Sequence, residues 1–378
     1  MKTARLFFAT NRNHEGKDRW TPSHYGEKFS ADGHENLRFG ELSLDYDEPT
    51  SHKFLTHKFK DGRIGDGESL SVYLAKRAKS AHINAYKDNT ATAKAKIDAS
   101  KNSSTKFFGN LKKVMMKSSD VVIYMHGYNV DWYEAVGGAI ALEQMLNRNR
   151  KPSEKKITVV LFSWPSNGSM MPFAAYKSDR TDARDSGKAI GRALLKLKDF
   201  LGTLRADAKT KKEELCMQDL HLCCHSMGNY VLQKGIEHKL IGYSNGSLLP
   251  RMFKHVFLCA PDVSDNVFEP GEGMSRLHEM AQSVTVYFNK GDLAMNISKY
   301  TKNAADRLGQ VGNARPALIH NKIHQVDCSP IVKGTVEHSY YLWATVNADI
   351  RHSILDLEFD DPTRNRRQIG QSKEWVIT

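Results

Sequence analysis

The sequence predicts an α/β fold, a mostly parallel central sheet with helices on both faces, spanning about residues 118–356. Three observations carry this expectation. Apolar runs of five to eight residues recur at 120–125, 157–162, 220–224, 255–259 and 284–288, with a weaker one at 320–326. The runs are apolar throughout instead of alternating, which suits strands covered on both faces. Helix-length segments at 130–147, 182–203, 228–238 and 338–350 alternate with them, pointing to βαβ units.

The earlier runs 5–10 and 37–44 read as strands added at one edge of that sheet. Residues 1–60 are therefore expected to belong to the same domain, 118–356 to be its catalytic core, and 357–378 a tail. Between them, 61–117 reads as a basic helical and linker insertion. Its stretch 76–117 holds eleven Lys or Arg against Asp88 and Asp98, a local net of +9 within a chain total of +12. A helix over 69–82, a polar linker over 89–104 and a second helix are expected there. In the second, Phe107, Phe108, Leu111, Val114 and Met115 share one face, with Lys112, Lys113 and Lys117 opposite.

The remaining composition is ordinary for a globular chain of 378 residues with 40% hydrophobic content. No apolar run is long enough to span a bilayer. The N-terminal LFFA stretch is too short for a secretory signal, and five cysteines include no CxxC pair. These features predict a cytoplasmic protein that is neither a disulfide scaffold nor a zinc ribbon. Its oligomeric state is not legible. The basic stretch lacks a helix-turn-helix, RRM or OB signature, so nucleic acid is not an expected partner.

The chemistry begins at LHLCCHSMGNY, residues 220–230. A buried strand runs into Ser226 and a helical pattern follows at once, the context of a nucleophile elbow. Gly228 occupies the position two after the serine, and Cys224 stands two before it, where glycine is usual. A second strand, 121–125, ends in His126-Gly127-Tyr128-Asn129. An acyl-transfer site needs two backbone N–H groups for the oxyanion, and Met227 and Tyr128 are placed to supply them. The ring of Tyr128 is expected to wall an acyl pocket. Downstream, Asp292 follows the strand at 284–288, and His338 follows the last one. Ser226, Asp292 and His338 therefore come in the order serine, acid, histidine. Asp262, just after the preceding strand, is the alternative acid. His320, His324 and His352 are expected to be structural or surface residues. The stretch around Trp164, Met170, Met171, Phe173 and Tyr176 reads as a lid or pocket wall, or as a loop packed back on the body.

Taken together, HGYN, then Phe162-Ser163-Trp164-Pro165-Ser166, HSMGN, APDV, Gly291-Asp292, Arg307-Leu308-Gly309 and Glu337-His338-Ser339-Tyr340 form an ordered set. With the opening Phe7-Phe8-Ala9-Thr10-Asn11-Arg12 and Phe39-Gly40, this set resembles the bacterial α/β-hydrolase family known as domain of unknown function 900. The resemblance covers nearly the whole chain. It implies an α/β-hydrolase fold, a serine nucleophile, no cofactor, and roles for Ser226, His338 and Asp292, with Asp262 in a motif of its own. Cys224, where the family more often has alanine, and the basic stretch around 76–106 depart from the pattern. The expected activity is hydrolysis of a small carboxylic ester. An acyltransferase would use the same residues, and a non-catalytic binding protein would leave them idle.

Overall fold

The computed structural model describes residues 1–60, 62–86, 103–166, 172–211, 218–295, 305–332, 337–370 and 373–378. Its strands are β1 (Lys2–Thr10), β2 (Arg12–Glu15), β3 (His24–Phe29), β4 (Arg38–Tyr46), β5 (His82–Ala85), β6 (Ser118–Met125) and β7 (Lys156–Ser163). They continue with β8 (Asp219–His225), β9 (Phe253–Cys259), β10 (Ala281–Phe288), β11 (Ile323–Asp327), β12 (Arg366–Gln368) and β13 (Glu374–Ile377). Strands β2 and β3 form a separate hairpin. The rest make one sheet in the order β12-β13-β11-β10-β9-β8-β6-β7-β1-β4-β5. The pairs β1–β4, β4–β5 and β12–β13 are antiparallel and the others parallel.

The five stronger apolar runs are all core strands, extended by two or three residues each, and the weaker run at 320–326 is the shorter strand β11 (Ile323–Asp327). Their burial explains the runs: β7 and β8 are buried at every position after the first, because helices cover both faces. On one face lie α3 (Ser103–Met115), α5 (Pro172–Lys211) and α6 (Gly228–Gly235), through residues such as Phe107, Leu194 and Val231. On the other lie α1 (Glu48–Thr56), α2 (Gly67–Ala78), α4 (Trp132–Leu146) and the final helix Ala344–Ile354, through Phe54, Leu70, Ala139 and Ile350. Among the described residues no helix is long and apolar enough to cross a membrane.

The expected insertion is partly built into this body. Helix α2 lies so close to α4 that a Cβ on Gly137 would meet Ser71 O at 2.5 Å. Strand β5 pairs with β4. The linker expected over 89–104 lies outside the described residues up to 102. The C-terminal residues are not the tail expected of them. Strand β13 pairs with β11, and the alternation that buries Trp375 and Ile377 was too short to read as a strand.

Candidate active site

Strand β8 stays buried to its end, where the chain turns sharply into α6. At the turn Ser226 adopts φ 51°, a conformation that costs a residue with a Cβ about 1–3 kcal/mol. Neighbouring backbone holds it there. Ser226 N–H donates to Cys259 O (2.9 Å), and Ser226 O accepts from Asp262 N–H (3.1 Å), Asn229 N–H (3.1 Å) and Asn229 Nδ2 (2.9 Å). Gly228 is required by close approach, since a Cβ there would lie 2.5 Å from His126 O. Cys224 fits two residues before the serine and is fully buried, which pushes its thiol pKa well up.

The loop after β6 crosses directly over this turn. A Cβ on Gly127 would stand 2.7 Å from Ser226 Cβ, so only glycine lets the two segments meet. Two charged residues fix the loop. Arg12, fully buried at the start of β2, donates to Val130 O (2.8 Å) and Ser163 Oγ (2.8 Å). Burial lowers its pKa to about 10. From α5, Asp179 accepts Asn129 N–H (3.2 Å) and Ser166 Oγ–H (2.5 Å), while Ser166 Oγ accepts Val130 N–H (3.2 Å). His126 beneath the loop is neutral, because burial and then Arg12 push its pKa to about 3. Its Nδ1–H donates to Gly127 O (2.9 Å), and its Nε2 accepts from Ser163 Oγ (3.1 Å).

Asp292 sits on the turn beyond β10, fully buried. Its Oδ2 lies 2.7 Å from His338 Nδ1, and its Oδ1 accepts Ala294 N–H at 3.0 Å. His338 follows β11, with its side chain 21% exposed. The ring of His225 is 4.8 Å from that of His338, and His225 Nε2–H donates to His338 O at 3.2 Å. Burial, then His338, hold His225 neutral, its pKa well below the usual range. Among the described residues Ser226 Oγ and His338 Nε2 share no hydrogen bond; without substrate such contacts are often open.

The model of the family described as alpha/beta hydrolase of unknown function (DUF900) matches residues 100–350. The chain belongs to this family.

An uncharacterized protein, alr1448, from Nostoc sp. is 24% identical over 308 residues, covering 65% of this chain and 75% of its own. Two solved structures are similar at lower identity. Aspergillus fumigatus lipase B is 10% identical, with a TM-score of 0.35, over 65% of this chain and 54% of the lipase. An esterase B from Lactobacillus rhamnosis is 11% identical, with a TM-score of 0.32, over 63% of this chain and 78% of the esterase.

In this DUF900 chain the alternative acid is engaged elsewhere. Asp262 Oδ2 accepts Tyr176 Oη–H at 2.6 Å and lies 3.6 Å from Arg180 Nη1, and its Oδ1 lies 3.5 Å from Arg307 Nε. The motifs APDV and RLG thus meet behind the elbow, where Leu308 N–H also donates to Val263 O (3.0 Å). Of the two readings of its stretch, Trp164 follows the one packed back on the body. It is fully buried, its ring stacks on His126, and its Nε1–H donates to His126 O at 2.9 Å. Tyr176 is buried too, edge-on to Tyr128 with centroids 5.6 Å apart. Met227 is buried at the head of α6. Met170 and Met171 lie outside the described residues, as does the side chain of Phe173, whose backbone belongs to α5. Sequence reasoning missed Arg12, Asp179 and His225 as parts of the site. For His225 the available signal was a polar residue at the end of an otherwise apolar strand.

Proposed function

We propose that the protein is a serine hydrolase that cleaves carboxylic esters through an acyl-enzyme intermediate. The observation that carries the reading is the 2.7 Å contact between Asp292 Oδ2 and His338 Nδ1 beside an elbow serine at φ 51°. With Nδ1–H donated to Asp292, the His338 Nε2 is left as the base. It takes the proton of Ser226 as Oγ bonds to the ester carbonyl carbon. The oxyanion formed is received by the main-chain N–H groups of Tyr128 and Met227, the latter at a helix N-terminus whose dipole favours negative charge. Collapse breaks the carbon–oxygen bond to the alcohol, and His338 returns its proton to the leaving oxygen. Water, deprotonated by the same histidine, then releases the acid and restores Ser226.

Tyr128 and Tyr176 bound the acyl side in this reading. The buried links from Arg12 and Asp179 to residues 129–130 support it, because an oxyanion hole works only when its donors are held before the charge develops. The test pairs labelling by a fluorophosphonate with turnover of p-nitrophenyl butyrate. The wild type is expected to be labelled once, at Ser226. Ser226→Ala should lose both labelling and about 10⁶-fold in kcat while unfolding at the same denaturant concentration. A folded alanine variant retaining a tenth of wild-type turnover refutes the assignment.

A further inference from the structure

Behind the elbow, two buried guanidinium groups share one carboxylate. Asp262, whose N–H donates to Ser226 O (3.1 Å), stands between Arg180 of α5 and Arg307. Asp179 and Asp306 precede the two arginines in the chain. Asp179 is bonded to Asn129 N–H and Ser166 Oγ–H. Among the described residues neither arginine has a carboxylate other than Asp262 within ion-pair distance. The cluster therefore holds one positive charge in excess.

Its donors are also unspent. Arg307 is 1% exposed, and its Nε and Nη2 have no hydrogen-bond partner. Asp262 Oδ1 approaches Nε at 3.5 Å without hydrogen-bond geometry. These two nitrogens form the edge by which a guanidinium grips a carboxylate through two parallel bonds. Arg180 is 9% exposed, with its plane covered by the Tyr230 ring at 3.7 Å. Its Nη1 donates to Tyr176 Oη (3.3 Å) and Asp262 O (3.4 Å), and its Nε has no partner. Buried polar groups are almost always hydrogen-bonded, and a buried charge is normally balanced.

We propose that this arginine pair receives a carboxylate at the far end of the acyl group, so that the substrate is a half-ester of a dicarboxylic acid. The inference rests on the hydrolase reading above and adds the substrate class. Position supports it. Tyr176 gives its Oη–H to Asp262 (2.6 Å) and packs edge-on to Tyr128. The pair thus lies just beyond the two rings that bound the acyl side. Charge selects the anion: a carboxylate balances the single excess charge, whereas a phosphate dianion would bury a negative one. The bound carboxylate takes no part in bond making; Ser226 attacks the ester carbonyl at the other end of the chain.

Monoethyl esters of succinic, glutaric and adipic acid test this, each against the ethyl ester carrying a carboxamide in place of the free carboxylate. The wild type is expected to favour the carboxylate at one chain length or more by about tenfold in kcat/KM, the worth of one charge-assisted hydrogen bond. High salt should leave this preference nearly intact, because buried charges are screened little. Arg307→Gln should abolish the preference. Arg180→Lys keeps a charge but loses the planar fork, and should reduce it. A wild-type ratio near one at every length, or a ratio unchanged in folded Arg307→Gln, overturns the proposal. Calorimetry of the same esters with Ser226→Ala needs neither turnover nor a change at the arginines. Tighter binding of the carboxylates supports the site even where Arg307→Gln does not fold, and equal binding overturns it. Carboxylate preference in binding without any turnover of p-nitrophenyl butyrate by the wild type would sink the hydrolase reading and keep the anion site. Turnover of that ester with equal binding would do the reverse.

Discussion

At the scale of single residues, the two candidate acids differ in what already holds them. Asp292 spends one oxygen on His338, whereas Asp262 is shared by Tyr176, Arg180 and Arg307. Asp292→Asn should therefore cost about 10⁴-fold in kcat by presenting His338 with the wrong partner. Asp262→Asn should keep kcat within about tenfold and instead lower stability by about 3–5 kcal/mol, because two buried guanidinium groups lose their carboxylate. Steady-state kinetics and urea unfolding of both variants check this, and reversed magnitudes would move the acid to Asp262. His225 offers a finer test. His225→Phe keeps a ring beside His338 but removes the donor to its carbonyl. It should lower kcat about tenfold at unchanged KM, the worth of one hydrogen bond, and His225→Gln should recover part of the loss. The elbow was legible in the sequence because its determinants are local, with Gly228 two residues from Ser226. The ties of Asp262 were not, because Tyr176 lies 86 residues away in the chain.

At the scale of elements, long buried strands announced themselves, while short ones did not. Strand β5 has four residues and β12 three, too few for a periodic signal. Helix α5 exceeds its expected 182–203 at both ends, since residues such as Arg205 to Lys211 carry almost no apolar pattern. Along α5, Asp179, Asp182 and Asp185 recur every three residues and so share a face. Asp179 is spent on the loop after β6, where it accepts Asn129 N–H. Burial, then Asp179 and Asp185, raise the pKa of Asp182 from 3.8 to about 6. A carboxyl raised on folding contributes stability that is complete below its unfolded pKa and lost as pH climbs through about 6. Asp182→Asn is therefore expected to raise stability at pH 8 by about 1 kcal/mol after allowance for solvent screening, read as a higher urea midpoint. At pH 4 it should change little. Equal stabilisation at both pH values would show that charge is not the cause.

At the scale of the whole molecule, the candidate triad hangs on the interior strands β8 and β10 and on the loop after β11, while the chain ends supply the outer strands. Strands β1 and β4 extend one side, and β13 closes the other by pairing with β11. Deleting residues 366–378 would leave Arg364 on Asp349 (3.0 Å) but expose the β11 edge and remove the buried Trp375 and Ile377. Burial of two such side chains is worth about 3–6 kcal/mol, so the truncated chain should unfold at clearly lower urea. It should also associate through its open edge, visible by light scattering. Its folded fraction in the cold should still react with a fluorophosphonate within about threefold of the full chain, because Ser226 and Asp292 stand on strands the cut does not reach. An unchanged urea midpoint would mean that β12 and β13 are not docked in solution. Loss of labelling in a fraction that remains folded would mean that the edge strand, through β11, holds His338 against Asp292.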